Sequence, residues 1–229
     1  MPATSNGSTN GLTNRISDLL NGKANGKDQV QLKRINRCIV DVSIRSTSPI
    51  IMHKWSEKAK LMIREKQQKG KKTKDRELRD PEAEAQSCLH LTSIDEVGIP
   101  AVAIKAAMIN VAHKDLGIEK TLVRKSLFIK CEDPSGVIPF SEATDPHIRE
   151  DVCRIGMGST DLRYRPQIDK WKADLSFEID AELLQVSDLL VLLERAGFGA
   201  GLLEWRPEKG GEFGRFELDT DIAVDARQI

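Results

Sequence analysis

Two stretches of the chain change polarity at nearly every residue, and a period of two puts apolar side chains on one side only if the backbone is a half-buried strand. In residues 37–45, Cys38, Val40, Val42 and Ile44 alternate with Ile39, Asp41, Ser43 and Arg45, and β-branched residues are frequent. In residues 171–179, Trp171, Ala173, Leu175, Phe177 and Ile179 share one face. Residues 126–131 and 213–218 read as two further strands, and a short one is expected around 89–91.

Between the strands the period changes. Residues 98–112 carry small and aliphatic side chains on nearly every face, which predicts a helix buried against a sheet. Asp80-Pro81 followed by Glu82 and Glu84 opens another helix, with its cap, its first-turn proline and its acids in place. Residues 183–196 form an amphipathic helix ended by Gly197, and residues 56–68 predict a helix after the turn at 46–49. Strands and helices in this order predict an α+β protein, an antiparallel sheet with helices on one face.

Of 229 residues, 39% are hydrophobic, enough to give residues 29–229 one core of their own. Residues 1–28 are rich in Asn, Gly, Ser and Thr, and Leu12, Ile16, Leu19 and Leu20 make a stripe too small to fold alone. A flexible arm that docks on a neighbouring copy is expected there. No run approaches the roughly twenty apolar residues of a membrane span, and the polar start lacks a signal peptide's apolar centre. A cytoplasmic protein with no membrane partner is expected. Cys38, Cys88, Cys131 and Cys153 include no Cys-x-x-Cys pair, so they are expected as small core residues, with no metal and no cofactor.

Lysine plus arginine equals aspartate plus glutamate at 35 each, so binding to an anionic polymer has to come from local patches. One is a tract near 66–80 with Lys66, Lys69, Lys71, Lys72, Lys74, Arg76 and Arg79. It is either a thumb that clamps a strand or a solubilising loop. A second is residues 155–166, where Arg163, Tyr164 and Arg165 either pair with and stack on a nucleotide or belong to a turn with a half-buried tyrosine.

The densest signal is residues 197–216, with six glycines in its first eighteen positions. Gly210, Gly211 and Gly214 allow another backbone or a phosphate to approach closely. Arg206, Lys209 and Arg215 are interleaved with Trp205, Phe213 and Phe216, so phosphate-binding cations alternate with surfaces for a base. A tight hairpin with its aromatics in the core is the alternative. The glycines follow a helix and lead into a strand, the reverse of the dinucleotide and P-loop fingerprints.

A helix, then this glycine loop with its Arg and Lys, then a last strand reading Phe213-Gly-Arg-Phe216 resembles the C-terminal glycine-rich loop of the RAMP superfamily, the RNA-binding backbone subunits and processing nucleases of CRISPR systems. The segment Gly98-Ile-Pro-Ala-Val-Ala-Ile-Lys-Ala-Ala-Met108 is similar to a helix start of the same superfamily. The resemblance implies a ferredoxin-like (RRM-like) core with insertions that binds the backbone of a single strand, RNA in preference to DNA. A phage or mobile-element relative fits it equally well. By this carry-over Arg206, Lys209 and Arg215 contact phosphates and Lys105 lies near the strand path.

For catalysis, the four histidines stand in different segments without a recognisable partner. His53 is the best nuclease candidate and a surface or capping histidine is its ordinary alternative. Asp145, Glu150 and Asp151 are expected as a solvated loop and not a metal set. The expectation is a non-enzymatic, nucleic-acid-binding subunit that multimerises or joins a larger complex. Its rivals are a structural or assembly protein and a processing endoribonuclease.

Overall fold

The computed structural model describes residues 34–54, 79–155 and 158–229. The chain divides after Arg34, and Ile35–Ile229 is the unit that carries the sheets and helices. The arm at 1–28, the helix expected at 56–68 and the tract containing Lys71 and Lys72 lie outside the described residues.

The two alternating stretches are the two central strands. β1 (Arg37–Ser46) and β9 (Trp171–Asp180) pair antiparallel, with Val40 opposite Phe177 and Ile44 opposite Ala173. β4 (Leu127–Lys130) joins the far side of β9, and β10 (Phe216–Leu218) joins the far side of β1, both antiparallel, giving the order β10-β1-β9-β4. β6 (Glu142–Ala143) adds to β9 and β11 (Asp225–Gln228) adds to β1. The protein is α+β with antiparallel sheets.

The apolar face of this sheet packs on two helices. Val40, Val42, Ile44, Trp171, Leu175 and Phe177 share one core with Ile104, Met108 and Val111 of α2 (Ala101–Lys114) and with Leu189, Leu192 and Leu193 of α4 (Val186–Arg195). Each of these large side chains stabilises the fold by roughly 1.5–3 kcal/mol. Asp188 accepts a hydrogen bond from the Gln185 N–H at the start of α4, which holds its first turn.

α2 begins later than its pattern predicts. Gly98–Pro100 is strand β3, paired with β5 (Val137–Pro139), because Gly98 lets the Ile138 carbonyl approach where a side chain would stand. The strand expected at 89–91 reduces to a single bridge between Leu91 and Val97. α3 (Lys120–Ser126) leads into β4.

The largest departure is a second sheet. β7 (His147–Ile155) and β8 (Ser159–Ile168) form a long hairpin, β2 (Ile50–Ile51) pairs with β8, and α1 (Pro81–Ser87), capped by Asp80, packs on β8. The solvated loop expected around Asp145, Glu150 and Asp151 is therefore corrected: Glu150 and Asp151 are strand residues, and Asp151 is buried. Its carboxylate is held by Arg149 at 2.7 Å and Arg165 at 3.5 Å, so burial of the charge is offset by pairing. Of the four cysteines expected in the core, Cys88 is buried and the other three are half-buried, all as free thiols.

Candidate nucleic-acid interface

The glycine loop is a tightly laced structure that rests on both sheets. After α4 the chain makes one wide π turn, Ala196–Ala200, and then doubles back on itself. The N–H of Leu202 donates to the carbonyl of Gly214 at 2.9 Å, and that of Phe213 to Trp205 at 3.1 Å. Gly214 N–H donates to Pro49 and Glu204 N–H to Ile51, which anchors the loop to β2.

Two glycines are needed for this lacing. A side chain at Gly211 would collide with the Trp205 carbonyl, and one at Gly214 with the Leu202 carbonyl. What approaches these glycines in the folded chain is another stretch of backbone. Gly210 differs: it has a left-handed backbone and open space beside it. Leu203 and Trp205 also have positive φ, at 60° and 49°, a conformation that costs a non-glycine residue roughly 1–2 kcal/mol. The fold spends stability here to aim particular side chains.

Those side chains point to three places. On the α4 side Phe198 stands exposed between two glycines, and the Arg215 guanidinium lies 5.1 Å from its ring centre. Both line an open hollow with Arg195 and Thr47. Arg215 has a loose pair with Glu212 at 4.0 Å, and its buried Nε has no partner.

On the α2 side Arg206 donates to Glu208 at 3.1 Å and to the Leu203 carbonyl at 2.8 Å. With Lys120, Arg124 and Asn110 it lines a second hollow of about 390 Å³ whose floor is the small side chains of α2, Ala103, Ala106 and Ala107. Lys105 borders it. Its Nζ donates to the Arg124 carbonyl at 3.1 Å and lies 4.4 Å above the exposed ring of Phe128, and partial burial lowers its pKa. Residues of α2 and of the glycine loop, far apart in sequence, thus meet at one hollow.

Toward the hairpin, Trp205 and Phe213 pack 6.2 Å apart, and the Arg149 guanidinium covers both rings at 5.2 and 4.8 Å. Arg149 is held from behind by Asp151 and by Gln167 at 3.1 Å. Arg165 is buried beneath it and serves Asp151 and the Cys153 sulfur. Arg163 donates to His53 Nε2 at 3.3 Å.

Because a guanidinium only donates, His53 Nε2 accepts and its proton sits on Nδ1, which faces the Cys88 sulfur at 3.7 Å. Burial, together with Arg165 and Arg163, holds the His53 pKa below its usual value. The lone pair that a general base needs is therefore already taken. Among the described residues no group of three or more His, Cys, Asp or Glu is gathered as for a metal ion. No helix among them is long and apolar enough to cross a membrane.

Of the residues expected from sequence, Arg206 lines one hollow and Lys105 bonds to Arg124 of its lining, Arg215 lines another, Trp205 faces the hairpin, and Lys209 is exposed at the tip beside Gly210. Arg163 reaches His53, and Arg165 is buried on Asp151 and Cys153. Sequence reasoning missed Arg149, Phe198, Phe128, Lys120 and Arg124. Phe198 had a signal: it follows Val191 of α4 by seven residues, and both are exposed where Leu189, Leu192 and Ala196 are buried. No protein-family model and no curated protein matches this chain.

Proposed function

We propose that this chain is a nucleic-acid-binding subunit that holds a single strand by its backbone and bases around the glycine loop. One observation carries the reading. Each exposed aromatic ring among the described residues, Phe128, Phe198 and Trp205, has a cation over its face: Lys105, Arg215 and Arg149. A platform for a base beside a donor for a phosphate is what a sequence-tolerant single-strand site requires. The orphan Nε of Arg215 adds a donor with nothing to bind in the free protein.

The strand order supports a ferredoxin-like core. Taken in chain order, the strands flanking α2 and α4 run first, second, third and fourth, and they lie 4-1-3-2 across the sheet. RNA as the preferred strand and membership of a larger assembly rest on the RAMP resemblance, and the cytoplasm as its place rests on the polar start and the short apolar runs of the sequence. The engaged His53 lone pair supports a binding role without a chemical step, over a processing endoribonuclease.

Fluorescence anisotropy with labelled oligouridylate and oligothymidylate tests the reading. Binding to one or both is expected at low salt. Phe198→Ala is expected to weaken it by roughly 1–3 kcal/mol without lowering the melting temperature, since the ring is 73% exposed. Unchanged affinity in Phe198→Ala, Trp205→Ala and Phe128→Ala alike would remove the carrying observation.

A further inference from the structure

β7 is an edge strand. Among the described residues it pairs with β8 on one side and with nothing on the other. Its register with β8 is unbroken from His147 to Ile155, without a bulge, and it contains neither lysine nor proline. Such an edge offers its backbone to another strand unless something blunts it.

The side of β7 away from Asp151 carries Ile148, Glu150, Val152 and Arg154, all exposed, with Leu162 of β8 opposite Val152. Val152 is 66% exposed. Neither Glu150 nor Arg154 has an ion pair among the described residues. The spacing Glu-x-Val-x-Arg is self-complementary when the strand meets a copy of itself antiparallel.

We propose that β7 pairs with β7 of a second copy about a two-fold axis at Val152. Val152 then faces its own copy, and Glu150 faces Arg154 of the partner on both sides. Axes at Glu150, Asp151 and Arg154 each oppose two like charges, and an axis at Cys153 sets Val152 against Arg154 and forms no ion pair. One register alone gives two ion pairs and an apolar centre, as an isologous interface requires. The axis is perpendicular to the sheet, so the opposite side of β7, which carries Arg149, faces the same way in both copies.

Light scattering on the full-length protein after size exclusion tests this. The expected mass is twice 25.5 kDa. Arg154→Glu turns both cross-strand pairs repulsive and should weaken the dimer roughly tenfold to a hundredfold. The double exchange Glu150→Arg with Arg154→Glu restores attraction and should restore the dimer. Both sites are exposed, and an unchanged melting temperature in dilute solution confirms that the variants fold. A monomeric wild type, an Arg154→Glu protein of unchanged mass, or a double exchange that stays monomeric would each overturn the proposal.

Discussion

The main sheet and the hairpin sheet are built from strands of similar alternation with opposite sense. In β9 the apolar side is buried, with Trp171, Ala173, Leu175, Phe177 and Ile179 inward and Lys172, Asp174 and Glu178 outward. In the outer part of the hairpin the polar side is covered, with Asp151 and Arg165 each 4% exposed, while Ile148, Val152 and Leu162 face solvent. The period of a pattern gives the conformation; which side is buried depends on what the strand meets. β9 meets two apolar helices. The hairpin meets the glycine loop, and its ion pairs hold Arg149 over Trp205 and Phe213. The first arrangement makes a core, and the second sets a cation against aromatic rings.

The sharpest break of this comparison is by stability. Phe177→Ala opens a cavity in the main core and is expected to cost roughly 4 kcal/mol in denaturant unfolding. Asp151→Asn leaves Arg165 buried without a counter-charge and is expected to cost roughly 3 kcal/mol, although the residue is polar. A cost near zero for Asp151→Asn would mean that the hairpin face is wet and its charges are not paired as described.

The same contrast explains what was legible. β1, β9 and the two helices over them were readable because each has a single apolar face and each meets the other's. The hairpin was not, because Ile148-Arg-Glu-Asp-Val152 mixes charge on both faces and pairs with residues ten or more positions away. At the site, Arg206, Arg215 and Trp205 could be read from the glycine-rich segment, since its composition marks it as unusual. Arg149, Lys120 and Arg124 could not: each is an ordinary charged residue until the fold brings it to the loop.

A smaller effect concerns pH. Burial, with Lys54 and His53 nearby, lowers the His90 pKa to about 4. The unfolded chain takes up this proton near pH 6.5 and the fold refuses it, so stability should fall as pH drops from about 6.5 toward 4. His90 is partly exposed, so the slope should stay well below the roughly 1.4 kcal/mol per pH unit of a whole proton. His90→Gln should flatten it; an unchanged slope would assign it to other groups.

The salt dependence of single-strand binding tests the central claim most directly. With Arg206, Lys209 and Arg215 changed together to Ala, the slope of log affinity against log salt should flatten by roughly 0.7 for each phosphate no longer neutralised, about equally for unrelated sequences. Wild-type affinity and an unchanged slope in that variant would show that the glycine loop does not hold the strand.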